Sequence, residues 1–335
     1  MKAAFDGTTV RCGQDGLTLY DQAGFGRKEG NGLKLAPQEA LYLLQRGKIK
    51  IDDYDFDKLL AVFAEQPNIV RSYFVYRDLR ERGYAVQTGP HDFRVFKRGQ
   101  RPGKGESLYF IRVISERDPI QFSSIIKEVN TAHNMRKQYV LATVDDENEL
   151  TYYEIKLQTP PHLEPFPIFP SINGTIVGKS TIIHVPPKSQ FEEAWFGSRL
   201  DDNRLLLSPF ETIYLAGIGD LSLKIDMRII SVEDLIQRAQ ETDTEFLHKL
   251  KVYEDLRKRG YIPKTGYKFG HHFRVYSGQK PHSEMLVHAI EENAEMPMIT
   301  ISRSVRLAHS VKKKMLFGCV YSTGIQYIEF ARIKL

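Results

Sequence analysis

The sequence has little cysteine, no long apolar run and only a small excess of charge. Cys12 and Cys319 are its only cysteines, too few and too far apart for a disulfide framework or a cysteine metal site. No run of about 18 apolar residues could span a membrane, and the first residues lack the apolar core of a signal peptide. We therefore expect a cytoplasmic protein. Its formal net charge of +5 permits an anionic partner without requiring one.

The chain contains an internal repeat. VYRDLRERGYAVQTG at 75–89 reappears as VYEDLRKRGYIPKTG at 252–266. Three more blocks match in the same order: LAPQEALYLLQRG with LSPFETIYLAGIG, HDFRVF with HHFRVY, and NTAHNMRKQYV with RLAHSVKKKML. This order predicts a tandem duplication of a unit of roughly 150 residues, an ordinary domain size.

The boundary between the copies is predicted from proline. QTPPHLEPFPIFPSING is proline-rich, hence stiff and extended, and cannot continue a helix or a central strand. We therefore predict a first copy at 1–158, a linker at 159–187 and a second copy at 188–335.

Each copy has the pattern of an α/β (α+β) fold. Pro-x-Glu followed by spaced apolar residues predicts a short helix, and the segment from Ser231 to Gly260 predicts a long one. The stretch SRSVRLAHSVKKKM predicts an amphipathic helix. Its predicted apolar side carries Val305, Ala308 and Met315, and its polar side carries Arg303, Arg306, Ser310 and Lys313. Short β-rich runs surround it, and two strands about a Thr-Gly turn close the copy. Each repeat should thus have a small N-terminal α/β subdomain and a C-terminal subdomain with a mixed sheet.

Differences between the copies point to chemistry, since residues common to both most economically encode the fold. Three positions matter. In the alignment of the copies, Tyr276 matches Phe96, His282 matches Glu106, and Lys313 matches Lys137. Tyrosine, histidine and lysine therefore coexist only in the second copy.

The stretches RGYIPKTGYKFGHHFRVY, HSEMLV and RLAHSVKKKM resemble the archaeal tRNA-splicing endonucleases, and the resemblance covers both copies. It implies a nuclease-like C-terminal subdomain, excision of introns from precursor tRNA at bulge-helix-bulge sites, and no metal or other cofactor. It also implies that Tyr276, His282 and Lys313 are catalytic. The choice of Lys313 over Lys312 and Lys314 rests on the alignment.

The chemistry of these three side chains suits RNA cleavage without a metal. Histidine, with an ordinary pKa near 6.5, can protonate the leaving 5′-oxygen. Tyrosine, near 10, can take the 2′-hydroxyl proton if cations stand beside it, and lysine can stabilise the phosphorane. The expected products carry a 2′,3′-cyclic phosphate and a 5′-hydroxyl.

Other histidines compete with His282. His271 and His272 flank the tyrosine motif, but His91 holds a similar place in the first copy, so we interpret them as local structure or RNA contacts. His309 has a counterpart, His133, and is interpreted as architectural.

The resemblance further implies a base-binding site and an assembly. Arg306 and Arg332 would sandwich a flipped base, although an ordinary surface arginine remains an even alternative for Arg332. The acidic turn, defined by Asp145, Asp146, Glu147 and Glu149, would dock in a polar groove of the partner subunit in a homodimer. A solvated hairpin tip is the alternative.

Two rival functions remain open. A noncatalytic RNA-binding or structural subunit would keep the fold and the arginines without the three catalytic side chains. A metal-dependent nuclease would need clustered carboxylates, and the second copy has none near its histidine or lysine in the sequence.

Overall fold

A computed structural model describes every residue of the chain except 90, 168, 226, 227 and 279. The chain divides into two compact units. Unit 1 comprises Met1–Leu157, Glu295–Arg306 and Phe330–Leu335, and unit 2 comprises Gln158–Ala294 and Leu307–Glu329. Unit 1 therefore contains nearly all of the predicted first copy together with two short segments of the second.

The helices follow the chain from α1 to α10. They are α1 (Leu17–Ala23), α2 (Pro37–Gln45), α3 (Phe56–Ala64), α4 (Ile69–Glu81), α5 (Phe122–Asn134), α6 (Gln190–Glu193), α7 (Pro209–Gly217), α8 (Val232–Gln240), α9 (Phe246–Lys258) and α10 (Met298–Ser310). Short 3₁₀ turns lie at Gln14–Gly16 and Tyr267–Phe269.

The strands run from β1 to β23. They are β1 (Lys2–Phe5), β2 (Val10–Cys12), β3 (Arg27–Glu29), β4 (Gly32–Leu35), β5 (Lys50–Ile51), β6 (Val86–Thr88), β7 (Phe93–Phe96), β8 (Ser107–Ser115), β9 (Pro119–Gln121), β10 (Gln138–Val144), β11 (Leu150–Gln158), β12 (Ile172–Val177), β13 (Ser180–His184), β14 (Ser198–Asp201), β15 (Arg204–Leu207), β16 (Leu221–Ile225), β17 (Arg228–Ile229), β18 (Ile262–Thr265), β19 (Phe273–Tyr276), β20 (Met285–Glu291), β21 (Glu295–Pro297), β22 (Lys314–Tyr321) and β23 (Gly324–Ile333).

Each unit has a small subdomain with a sheet and a short helix that begins at proline. The sheet order is β3-β4-β2-β1-β5 in unit 1 and β14-β15-β13-β12-β16-β17 in unit 2. In α2 the buried Glu39 carboxylate accepts the backbone N–H of Ala36 at 2.8 Å. In α7 the buried Glu211 accepts that of Ser208 at the same distance. Both bonds satisfy a backbone donor at the helix start, which confirms the helix predicted from Pro-x-Glu.

Each unit also has a mixed sheet, and the two sheets match strand by strand. Their orders are β6-β7-β8-β10-β11 and β18-β19-β20-β22-β23. The central pairs β8–β10 and β20–β22 are parallel, while the outer pairs are antiparallel. Helix α4 packs on the first sheet and α9 on the second. The α/β tandem duplication predicted from the repeats is confirmed.

Equivalent side chains form the two cores. Each core is buried between the sheet and its helix, since one face of each must be removed from water. The matched pairs are Tyr76 with Tyr253, Phe93 with Phe273, Ile111 with Val287, and Val140 with Leu316.

The long helix predicted from Ser231 to Gly260 is in fact two helices, α8 and α9. The predicted start is correct, because the Ser231 hydroxyl accepts the backbone N–H of Asp234 at 3.1 Å. The helix is interrupted at 241–245, where the Asp243 carboxylate accepts the backbone N–H of Glu245 at 3.1 Å. A short acidic side chain that bonds the backbone in this way competes with helical hydrogen bonds.

The amphipathic helix ends earlier than predicted. Val305 and Ala308 are buried as expected, but α10 stops at Ser310 and Met315 lies in β22. Lys312 has φ 56°, a left-handed conformation that ends a helix. Lys313 therefore lies in the turn between α10 and β22, and its predicted place on the polar helix face is wrong.

The predicted linker contains regular structure in its second half. Strands β12 and β13 lie within 159–187, after the last proline of the rich segment, Pro170. The alternation of apolar and polar residues in INGTIV and TIIH favours strands, whereas the prolines before these segments disfavour them. The division of the chain at 158 and 188 stays a prediction.

Candidate functional site

Tyr276 ends strand β19 and is held by two neighbours. Its side chain is 6% exposed. The ring of Trp195 lies 5.1 Å from its ring, centroid to centroid, at an angle of 54°. The Arg274 guanidinium carbon lies 5.8 Å from the centroid of the tyrosine ring. An aromatic ring and a cation thus adjoin the tyrosine that the sequence singled out.

His282 and Lys313 lie in one groove of unit 2. His282 is exposed on the connection between β19 and β20. The Lys313 ammonium donates to the carbonyl of the next residue, Ser283, at 2.6 Å. Both side chains line a groove of about 1130 Å³ together with Lys312 and Lys314. Tyr276 is outside the described lining of that groove, so the structure joins two of the three predicted catalytic residues there.

Burial and positive charge act on Lys313. Burial is the larger cause that lowers the pKa of its ammonium, and the charges of Lys268 and Arg274 lower it further. The Phe269 ring centroid is 6.0 Å from the same nitrogen. The site therefore concentrates cations, which suits an anionic ligand or transition state.

The first copy makes an ion pair at the matching position. The Lys137 ammonium lies 3.8 Å from the carboxylate of Glu106, the residue that faces His282 in the alignment of the copies. Both lysines follow a left-handed residue, Arg136 or Lys312, with φ 56° in each case. The backbone is therefore repeated, and what differs is the group that meets the lysine.

The rival His272 has a structural task. Its Nδ1 accepts the backbone N–H of Ala289 at 3.0 Å. In the first copy Asp92 accepts the equivalent N–H, that of Val113, at 2.7 Å. The His272 ring stacks on His288 at 3.9 Å. These contacts favour the interpretation of His272 as local structure.

Burial keeps this pair of histidines neutral. It lowers the pKa of His272 to about 4 and that of His288 to about 3; the positive charge of Lys249 lowers both further, while an acidic neighbour of each opposes the shift. His271 is buried beside them, and burial lowers its pKa too. Neutral rings packed in this way are poor proton donors near pH 7.

The remaining predicted residues lie on the surface. Arg306 is exposed on α10, where its Nε donates to the Ser302 carbonyl at 3.4 Å, and Arg332 is exposed on β23. His309 is exposed and lines the groove with His282. Its surface position does not suit the architectural role expected for it.

The acidic turn is internally ordered. Asp145 accepts the backbone N–H groups of Glu147 and Glu149 at 3.0 and 2.8 Å. Asp146 pairs with Arg117. The carboxylates of Glu147 and Glu149 belong to exposed residues. Asp145 thus holds the turn, Asp146 pairs with Arg117, and Glu147 and Glu149 are exposed.

Sequence reasoning missed Arg274 and Trp195. Arg274 is matched by Arg94, so a comparison of the copies discards it. Trp195 had a signal: AWFG at 194–197 matches AGFG at 23–26, which sets the chain's one tryptophan against Gly24. Extending the comparison upstream would have found it.

The described part of the chain lacks two further features. No group of three or more histidine, cysteine, aspartate or glutamate side chains there has the arrangement of a metal site. No helix there is both long and apolar enough to cross a membrane.

A duplicated α/β unit with this set of side chains in one copy only has the character of an endoribonuclease, and comparisons with known proteins agree. The model of the tRNA intron endonuclease catalytic C-terminal domain matches twice, at residues 69–152 and 246–327. The model of the N-terminal domain of the same family also matches twice, at 1–60 and 172–236.

Similar proteins cover the whole chain. The tRNA-splicing endonuclease of Methanosarcina acetivorans is 39% identical over 100% of both chains. That of Methanococcoides burtonii is 39% identical over 95% of each, and that of Natronomonas pharaonis 35% identical over 90% of this chain and 89% of its own. The chain belongs to the tRNA intron endonuclease family.

Proposed function

We propose that this endoribonuclease excises introns from precursor tRNA by metal-independent transesterification at bulge-helix-bulge sites, and that its second copy alone is catalytic. The name shared by the relatives, tRNA-splicing endonuclease, supports the substrate. The observation that carries the proposal for the site is the contact of Lys313 with Ser283, next to His282. In the first copy the lysine meets Glu106 instead.

In this proposal Tyr276, acting as its phenolate, takes the proton from the 2′-hydroxyl and becomes a neutral phenol. The freed 2′-oxygen attacks the adjacent phosphorus, and the bond from phosphorus to the 5′-oxygen breaks. Arg274 supplies positive charge at the tyrosine ring. Phe96, at the matching position of the first copy, has no hydroxyl and cannot accept the proton.

His282 gives a proton to the departing 5′-oxygen. Its exposure in the groove leaves the imidazole accessible to a bound RNA. A positioned acid of this kind contributes roughly 10²–10⁴-fold to a rate. The products then carry a 2′,3′-cyclic phosphate and a 5′-hydroxyl.

Lys313 stabilises the negative charge that develops on the nonbridging oxygens. A cation fixed before the reaction is most effective where the charge appears only in the transition state. The hydrogen bond to Ser283 fixes this ammonium beside the histidine. The adjacent Lys312 and Lys314 are exposed and add to the positive field along the groove.

Arg306 and Arg332 bind the bulge. A bulged strand offers unstacked bases, and a guanidinium plane can stack on one of them. Both arginines are exposed, as this role requires. Arg332 as an ordinary surface residue remains the alternative.

The enzyme acts as a homodimer in the cytoplasm, with the acidic turn docked on the partner. Glu147 and Glu149 are exposed, and neither holds the turn as Asp145 does. Replacing both by glutamine should weaken the dimer, and Asp145 should be left in place because it holds the turn. Sedimentation at decreasing concentration measures this. Asp57→Asn with Glu65→Gln makes the same charge change at two exposed residues, one in α3 and one directly after it, and should have no effect.

One assay separates this proposal from both rivals. The pure protein is incubated in EDTA with a transcript whose intron is flanked by bulges, and the product ends are analysed. We expect cleavage, with cyclic phosphate and 5′-hydroxyl ends. A noncatalytic subunit would not cleave, and a metal-dependent nuclease would cleave only after a divalent ion is restored.

A further inference from the structure

Trp195 has an unusual backbone for a bulky residue. Its φ is 60°, in the left-handed region that favours glycine. Gly24, its counterpart in the first copy, has φ 68°. The same turn is therefore built with the permissive residue in one copy and with a strained tryptophan in the other. Strain of this kind persists only where the surroundings enforce it, and it concentrates at functional sites.

An arginine holds the turn in both copies; it is buried in unit 2 and half-buried in unit 1. In unit 2 the Arg257 side chain, 1% exposed, donates to the carbonyl of Ala194 at 2.9 Å and to that of Trp195 at 3.5 Å. In unit 1 Arg80 donates to the carbonyl of Ala23 at 3.0 Å. The turn is thus an element of the shared fold, and its tryptophan is particular to the second copy.

The tryptophan does not serve simply to fill the core. Its neighbours Ala194 and Phe196 are 3% and 1% exposed, whereas Trp195 itself is only partly buried. Its ring contacts the ring of Tyr276 at 5.1 Å. An indole held by a rigid turn can restrict where a tyrosine hydroxyl points, since aromatic pairs prefer defined geometries.

The first copy has no room for such a ring. A Cβ added to Gly24 would lie 2.6 Å from the Cδ of Pro102, which belongs to the connection between β7 and β8. In the second copy the stretch from Tyr276 to His282 is four residues shorter than the matching stretch from Phe96 to Glu106. The tryptophan and the shortened connection therefore accompany the tyrosine and the histidine as paired differences between the copies.

We propose that Trp195 is a positioning residue, which holds the ring of Tyr276 so that its hydroxyl meets the 2′-hydroxyl of the RNA. The inference rests on the proposed role of Tyr276 as the base. Trp195 acts through the tyrosine, and binding of the RNA does not depend on a contact with Trp195.

The test compares Trp195→Gly with Trp195→Phe by single-turnover cleavage at saturating enzyme in EDTA. Glycine suits the left-handed backbone and is the residue of the first copy, so cooperative thermal unfolding should be retained. We expect a rate about 10- to 100-fold lower for Trp195→Gly, because a misplaced reacting group costs that much, with RNA affinity changed by less than about two-fold. Phenylalanine retains an aromatic plane and should recover most of the rate.

A double-mutant cycle with Tyr276→Phe separates positioning from general packing. If Trp195 acts only through the tyrosine hydroxyl, Trp195→Gly should change the rate of Tyr276→Phe by less than about two-fold. An equal loss in both backgrounds overturns the proposal, as does an unchanged rate in the wild-type background. Loss of affinity with an unchanged rate at saturation overturns it too, since Trp195 would then be a substrate contact. If Tyr276→Phe cleaves like the wild type, the assignment of the base has failed instead.

Discussion

The last long helix of each copy, α5 or α10, is followed by the same backbone turn. The lysine after that turn contacts a different group in each copy. Arg136 and Lys312 share a left-handed φ of 56°, and each is followed by a lysine. The backbone N–H of that lysine donates to Ala132 in one copy and to Ala308 in the other, at 2.8 Å in both. The side chain then meets a carboxylate in the first copy and a backbone carbonyl beside a histidine in the second.

Under the proposed function, a duplicated fold needs to change little to alter its chemistry. Sheet order, helix caps and buried residues are repeated, because each copy must bury a core of its own. The replacements of Phe96 by Tyr276 and of Glu106 by His282 lie at the end of a strand and in a connection, where a side chain can change without disturbing the packing. Removing a replaced residue from each copy in turn is therefore a sharp way to examine the comparison.

The largest effect should come from His282. His282→Ala removes the proposed acid and should lower the single-turnover rate by roughly 10²–10⁴-fold. Folding and RNA affinity should be nearly unchanged, because the side chain is exposed. Glu106→Ala at the matching position of the first copy is the control and should cleave normally. His272→Ala should be much milder, and the reverse result would mean that the acid is misassigned.

The next effect should come from Arg306. Arg306→Ala removes a stacking platform worth about 1–3 kcal/mol per base, so RNA affinity should fall by about 5- to 150-fold. Single-turnover cleavage at saturation should fall less. Asn130→Ala, at the matching position of the first copy, should leave affinity unchanged. Equal losses in the two variants would remove Arg306 from the proposed base-binding site.

The last effect concerns the dependence of folding stability on pH. Burial lowers the pKa of His272 to about 4, below the ordinary 6.5 expected in the unfolded chain. Between these values the unfolded state binds more protons than the folded state, so stability falls as the pH falls through that window and is independent of this group above it. The loss at pH 5 should be about 2 kcal/mol for His272.

His272→Asn is the matched variant for that measurement. Its amide oxygen can accept the Ala289 N–H, as Asp92 accepts the equivalent N–H in the first copy, and it does not titrate. Denaturant unfolding from pH 7 to pH 4.5 should show a shallower decline than in the wild type. An identical decline would mean that His272 does not stay neutral in the folded protein.

The repeats predicted much of the fold, because the sequence pattern of each helix or strand can be examined in both copies. The α/β class, the helices at Pro-x-Glu and the closing hairpin follow from local sequence. The end of α10 could not be predicted in this way, because the left-handed backbone conformation of Lys312 has no signature in composition or periodicity. For the same reason the sequence placed Lys313 on a helix face instead of in a turn.

Contacts between segments that are distant in the sequence could not be predicted. It singled out His282 and Lys313 by their contrast with the first copy, yet not the bond from Lys313 to Ser283, which depends on how two connections meet. Arg274 escaped because both copies keep it. The exposure of His309 was also missed, since a counterpart in the first copy suggests architecture equally for a buried and a surface residue.

The central claim is that only the second copy is catalytic, and one paired measurement tests it most directly. Single-turnover cleavage of a bulge-helix-bulge transcript is compared for Lys313→Ala and Lys137→Ala, with both proteins shown to be folded and of unchanged oligomeric state. We expect Lys313→Ala to be slower by roughly 10²-fold or more, with little change in affinity, and Lys137→Ala to cleave like the wild type. Equal damage in the two variants would contradict the account of one catalytic and one noncatalytic copy.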